Sequence, residues 1–322
     1  MELLKRLTRC NSVSGNENEI RELIKSEAKP YADTIFEDAL GNLIVRKKGV
    51  GKKIMLASHM DEIGVIITFI EDNGFLRFAP VGGLYTKDLL GRRVEFSDRT
   101  IGVIGLEEQA KERTIANMFI DIGAKDRKEA QRLVKIGDTA CFSGEFKIQN
   151  NKIISKALDN RVGCFVLLEA LKALEKTNND LYFVFTVQEE VGLRGAKTSA
   201  FSIMPDLALS VDVTDTGDTP KSDVMEVKLG KGTAIKVMDS SCLCSPEVRN
   251  TLIHLAKKNS IPYQIEVLTA GGTDAGAIHL TGGGVKTGAI SIPTRFIHSP
   301  SEMADVDDIL ASVKLVCKFC GV

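Results

Sequence analysis

Two textures of hydrophobic patterning divide the chain. Near its start, Ile20, Leu23 and Ile24 recur at helical spacing in SGNENEIRELIKSEAKPYA, with Ser14 or Asn16 placed to cap the helix. TIFEDALGNLIVRKKG reads as strands around a glycine turn, and KKIMLASHMDEIG as a short apolar strand ending in polar residues. From about residue 64 the runs shorten. VIITFIEDNGFLRFAPVGG, GRRVEFSDRTIGVIGLEE and DTACFSGEFKIQNNKIISK are strand-like segments broken by Gly, Asn-Gly or Asp turns, with one charged helix candidate in KDRKEAQRLVKIG. Such spacing predicts a small β-rich unit. From about residue 155, helix and buried strand alternate again. NRVGCFVLLEALKALEK reads as an amphipathic helix, LYFVFTV and LALSVDV as buried strands, and SPEVRNTLIHLAKKNS as a helix. GAISIPT is a further strand and VDDILASVKLVCKF the last helix. The economical fold class is α/β: a discontinuous domain of residues 1–63 and 155–322, with a β-rich domain, 64–154, inserted between its halves.

The polar residues that follow the apolar runs carry the candidate chemistry. IMLAS leads to His59 and Asp61, LYFVFTVQ to Glu189 and Glu190, LALSV to Asp212, and GAISIPTRFI to His298. Asp159 stands just before the amphipathic helix. Ligands of open α/β sheets bind beyond the carboxyl ends of the strands. If these strands are parallel neighbours, all seven side chains meet at one edge. Two histidines and several carboxylates in one pocket suit divalent metal ions. Any one of them alone is more simply a cap or a solvated turn residue; the joint placement is the signal. His254 sits at helical spacing as a packing residue, and His279 reads as structural. TGGGVKTGA leads into a strand rather than a helix N-terminus, so it is a turn and not a phosphate cradle. In GGTDAGA, Thr273 and Asp274 are expected to cap a short helix.

Composition narrows the classes. A net charge of −1, with Lys and Arg dispersed, offers no field for nucleic acid or an acidic membrane. With no Trp and few aromatics there is no stacking platform for bases or sugars. The N-terminal apolar residues are interleaved with charges, so no signal peptide is expected, and no apolar run is long enough to span a membrane. Seven scattered cysteines, an odd number, suit reduced thiols in the cytoplasm. Cys242/Cys244 and Cys317/Cys320 are close pairs, and packing is the simpler reading of both.

SHMDEIG, ALDNRVGC, VQEEVGLRGA, SVDVT and IPTRFIHSP together, in this order through nearly the whole chain, closely resemble the tetrahedral aminopeptidase family. The resemblance implies a cytosolic dinuclear metallopeptidase with two divalent ions, Zn²⁺ or Co²⁺, acting on peptides with a free N-terminus. It implies His59 and Asp212 as ligands of one ion, Glu190 and His298 of the other, and Asp159 as the bridge. Asp61 is implied as the partner of His59, and Glu189 as the general base. A cis peptide bond after Asp159, a three-layer catalytic domain, a PDZ-like inserted dimerisation domain and a tetrahedral dodecamer are also implied. Phe296 departs from the family's usual Tyr beside the last ligand.

Physical chemistry supports the same division of labour. Paired ions can share a water, lower its pKa and stabilise both oxygens of a tetrahedral intermediate. Two adjacent glutamates on an extended chain point apart, so they are expected to do different jobs and do not make a glycosidase pair. Two further readings remain: a dinuclear deacylase acting on small N-acyl amino acids, and a non-catalytic scaffold braced by metal. A scaffold favours closed, Cys-rich sites, unlike this carboxylate-rich set.

Overall fold

The computed structural model describes all of residues 1–322. Its centre is an eleven-stranded mixed sheet. Four neighbouring strands, Asp180–Thr186, Lys53–His59, Leu207–Thr214 and Lys286–Arg295, run parallel, so their carboxyl ends share one edge. The hairpin Thr34–Glu37/Leu43–Lys47 adds antiparallel to one side, as its pattern predicts. Alternate side chains explain how the sheet is covered. Val45, Leu56, Phe183 and Leu209 face the larger core beneath the helices Leu158–Ala173 and Val306–Phe319. Ile44, Met55, Val184 and Ala208 point the other way, beneath Arg194–Ile203 and Ala275–Ile278. This period of two, with both faces apolar, is what a buried central sheet requires.

The short-strand texture forms a closed six-stranded antiparallel barrel, from the strand Gly64–Ile70 to the strand Thr139–Phe142. It has its own core, which includes Val65, Phe78, Val94, Ile104 and Ile120. The charged helix candidate is Arg127–Leu133, capped by Asp126, whose carboxylate accepts from Glu129 N. The insert was expected to run to residue 154, but its last strands belong elsewhere. Lys147–Gln149 and Lys152–Ser155 form a hairpin that pairs with Glu302–Asp305 of the large sheet. Ile153 is buried in the larger core, so its apolar contact lies there rather than in the barrel.

Other differences have simple physical causes. Glu2–Arg9 is an unforeseen helix, whose Leu4 and Leu7 are buried beneath a charged outer face. Leu158–Ala173 is buried nearly all round rather than amphipathic, because it lies under the sheet and is covered in turn by Val306–Phe319 and Glu2–Arg9. Thr233–Met238 and Tyr263–Val267 are additional strands, parallel to each other, the first joined antiparallel to Lys286–Arg295. His254 is exposed on the outer face of its helix and does not pack. His279 is structural, its Nδ1 2.9 Å from the Ala275 carbonyl of its own helix. The two cysteine pairs lie apart: Cys242 and Cys244 pack with Ala275 and Ala289, whereas Cys320 belongs to the larger core, with Cys317 packed against it. No helix is long and apolar enough to cross a membrane.

Candidate metal centre

The parallel register brings the strand ends together. Thr186 stands opposite His59, and Asp212 opposite Ser291, so His59, the 189–190 turn, Asp212 and the His298 loop emerge at one edge. Asp159 enters from below, at the start of its helix. Its backbone is not yet helical there, and the Asp159–Asn160 bond is cis. Asn160 secures this turn by donating to Val211 O at 2.8 Å and accepting from Gly163 N at 3.0 Å. Gly163 makes the approach possible: a Cβ there would lie 2.3 Å from Asn160 Oδ1 and 2.4 Å from Ser58 Oγ.

Two groups of ligand atoms result. His59, Asp159 and Asp212 form one, and Asp159, Glu190 and His298 the other, with Asp159 common to both. His59 Nε2 lies 3.1 Å from Asp159 Oδ1 and 3.6 Å from Asp212 Oδ1. His298 Nε2 lies 3.4 Å from Asp159 Oδ2 and 3.1 Å from Glu190 Oε2. Glu189 belongs to neither group; its Oε2 lies 3.9 Å from His59 Nε2. Six of the seven residues expected at the site line it, and the seventh, Asp61, stands behind them. Asp61 is fully buried behind the pocket, with Oδ1 3.4 Å from His59 Nδ1. It also accepts from Ser14 Oγ (2.6 Å), Glu189 N (3.0 Å) and Glu190 N (3.2 Å). Asp61 thus orients the imidazole, through its backbone carbonyl 3.2 Å from Nδ1 with the carboxylate beside it, and its carboxylate fixes the backbone of both glutamates. Ser14 serves this network and does not cap the helix Asn18–Ala28; Glu17 takes the cap position, and its carboxylate accepts from Gly15 N and Gln188 N.

Electrostatics show what the cluster suits. Burial, reinforced by Asp212, Glu190 and Asp274 against the pull of His59, pushes Glu189 far above the ordinary carboxylate range. Burial also raises Glu190, with Asp159 adding to it, and raises Asp212. Burial works the same way on Asp159, but hydrogen bonds to His298 and His59 outweigh it and hold that acid low. The surrounding carboxylates overcome burial to push His298 up to about 12 and His59 well above its usual value. The site holds more buried carboxylate than two imidazoliums can balance, and Glu190 Oε1 is buried with no partner at all. Uncompensated buried charge is costly. Nitrogen and carboxylate donors in these numbers fit divalent cations of the zinc or cobalt type.

Sequence reasoning missed Glu302. Its buried carboxylate accepts from Asp159 N and His298 N, both at 2.9 Å, and so ties the shared ligand to a ligand of the second group. Nothing in its spacing marks it: one partner, His298 N, is an ordinary local turn contact four residues away, and the other, Asp159 N, lies 143 residues away. Glu302→Ala should weaken metal retention about 10–100-fold, the usual cost of losing a group that orients ligands. Competition against a chelating dye measures it, and unchanged retention would remove Glu302 from the site. Asp274 was expected to cap the helix Ala275–Ile278, but its side chain makes no cap bond and instead accepts from Thr186 Oγ1 at 2.6 Å. Burial, eased by His59 but deepened by Asp212 and Asp61, raises this acid to about 7.

A family model described as M42 glutamyl aminopeptidase matches residues 41–315. A protein of Acetivibrio thermocellus, provisionally named an aminopeptidase, is 58% identical over 98% of this chain and 96% of its own. An aminopeptidase structure from the archaeon Desulfurococcus kamchatkensis is 42% identical, with a TM-score of 0.95 over 99% of this chain and 93% of its own. The TET1 peptidase of Pyrococcus horikoshii, described as able to assemble into a tetrahedron or a large octahedral shell, is 38% identical. Its TM-score is 0.91 over 99% of this chain and 98% of its own.

Proposed function

Because this chain belongs to the M42 glutamyl aminopeptidase family and is a metal-dependent aminopeptidase, we propose that it works with two divalent ions, zinc or cobalt, held at the two ligand groups. His59, Asp159 and Asp212 hold one, and Asp159, Glu190 and His298 the other. The observation that carries this reading is the single carboxylate, Asp159, shared by both groups. When bound, such ions polarise a scissile carbonyl and make water nucleophilic near neutral pH.

The chain's own residues supply the rest. Asp61 keeps one tautomer of His59 by presenting its backbone carbonyl to Nδ1, with the carboxylate alongside, so that Nε2 stays turned to the ligand group. Glu189 reaches the pocket without joining a ligand group, as a proton shuttle must. It accepts a proton from the attacking water and returns it to the departing amine. The acidic lining, Asp159, Glu190, Asp212 and Asp215, favours the positive α-amine of a free peptide N-terminus over a neutral acylated one. A panel of peptides with free and acetylated N-termini, assayed with each metal added back, tests this. Release only from free N-termini supports the aminopeptidase. Cleavage of acetylated amino acids favours the deacylase, and no metal-dependent turnover favours the scaffold.

The proposal extends to assembly and location. The inserted barrel, PDZ-like in the resemblance, makes a dimer contact, and dimers build a homo-oligomer, a dodecamer in the simplest case. Exposed Leu90, Ile101 and Val103 on the barrel provide apolar surface for such a contact. Light scattering of the metal-loaded protein should give a particle many times 35.0 kDa; an active, strictly monomeric enzyme would contradict it. Free cysteines suit a reducing compartment, here the cytoplasm.

A further inference from the structure

We propose that Lys87 and Arg92 bind a substrate carboxylate on the leaving side of the scissile bond, and that this is the C-terminal carboxylate of a short peptide. The inference rests on the aminopeptidase reading. A cavity of about 820 Å³ contains the ligand groups. Part of its wall is the barrel segment from Gly83 to Arg92. That segment sits directly on the metal ligands. A Cβ at Gly83 would lie 3.2 Å from the His298 ring, and one at the preceding Gly82 would lie 3.2 Å from Glu190 Cβ. Glycine is required at Gly82, where φ is +81° and a Cβ would also lie 2.7 Å from Ile63 Cγ2, and at Gly83 a side chain would press on the His298 ring.

Farther along the same segment stand Lys87 and Arg92, the only Lys or Arg lining the cavity. Neither has an ion-pair partner in the chain. Arg92 Nε donates to Asp88 O at 2.9 Å, which orients the guanidinium and leaves its terminal nitrogens free for a bidentate carboxylate contact. The Lys87 ammonium lies 5.8 Å from the centre of the Tyr85 ring, a contact that positions the charge without neutralising it. The rest of the lining is predominantly acidic or neutral. Asp159, Glu189, Glu190, Asp212 and Asp215 gather the negative charge, Asp88 lies beside the basic pair, and Ser240, Ser241, Gly271 and Thr273 are uncharged. The cavity is therefore polarised in the sense of a short zwitterionic peptide, whose ammonium end belongs at the carboxylates and whose carboxylate belongs at the basic edge. An extended chain advances about 3.3–3.6 Å per residue. A fixed basic edge thus reaches the C-terminus of only a narrow range of short peptides. The same cations would also accept an acidic side chain placed after the scissile bond.

Steady-state kinetics on the metal-loaded enzyme separate these sources. Three substrates share one N-terminal residue: a tripeptide with a free C-terminus, its C-terminal amide, and the amide with glutamate after the scissile bond. An aminoacyl anilide, which has no carboxylate, reports folding and basal chemistry. The wild type should show a KM about tenfold lower for the free acid than for its amide, the scale of a charge-assisted contact, with kcat little changed. Lys87→Ala with Arg92→Ala should erase that difference and leave anilide turnover intact, and Lys87→Arg should retain it. If the glutamate-bearing amide is the favoured substrate and loses its advantage in the double variant, the carboxylate site stands and its source is the side chain. Equal KM for all three in the wild type, or a preference that survives the double variant, overturns the proposal. A wild type that turns over none of the four, anilide included, would instead overturn the aminopeptidase reading beneath it.

Discussion

Glu189→Gln should lose turnover by about 10²-fold or more while keeping its metal content, the usual scale for losing a general base. Glutamine preserves the shape of the side chain but cannot take a proton. Glu189 lies outside both ligand groups, and its backbone N–H is fixed by Asp61, so neither the ligands nor the turn should change. Burial raises its pKa well above the ordinary carboxylate value, and nearby cations would act in the opposite direction. Glu190→Gln should act differently. It removes the charge of a candidate ligand whose Oε2 lies 3.1 Å from His298 Nε2, so one ion should be lost first and excess metal should restore part of the activity. Elemental analysis beside kinetics reads both variants. If Glu189→Gln loses metal and Glu190→Gln keeps it, the two roles are exchanged.

The second large effect lies beneath the pocket. The Glu62 carboxylate is buried and accepts from Lys156 Nζ (2.6 and 2.8 Å), Arg161 Nη2 (3.0 Å) and Ser12 N (3.1 Å). The two cations donate onward to the Cys10 and Leu7 carbonyls. The N-terminal helix is thereby tied to the turn that carries Asp159. Glu62→Gln leaves two buried cations without a counter-charge, and removing one partner of a buried ion pair costs about 3–5 kcal/mol. The urea midpoint at fixed protein concentration should fall accordingly, the concentration mattering because assembly is linked to stability. A change within about 0.5 kcal/mol, typical of surface substitutions, would show that water relieves the site.

What could be read from the sequence follows from the range of the forces involved. Strand-end residues were legible because a period of two or a continuous apolar run marks each strand, and parallel topology then sends its carboxyl end to one edge. All five ligand candidates came from that rule and from the family resemblance. Glu302 was not legible, since its contact with His298 N is a local turn contact like many others and its contact with Asp159 N is set by the fold alone. Thr233–Met238 escaped because Lys236 interrupts its apolar pattern; in the fold that lysine is fully buried and paired with Glu266 of the neighbouring strand. The role of Ser14 was misread for a related reason. A serine before a helix is an ordinary cap, and only tertiary structure places Asp61 within 2.6 Å of its hydroxyl. The insert's end was misplaced because a short hairpin looks the same in sequence whichever sheet it joins.

The most direct test of the shared-carboxylate site is a metal titration of chelator-stripped protein, followed by release of the N-terminal residue from a free peptide. Activity should climb to a break at two equivalents of zinc or cobalt per chain, and Asp159→Asn should abolish that break. Full activity at one equivalent, or an Asp159→Asn protein that still needs two and works normally, would contradict the account.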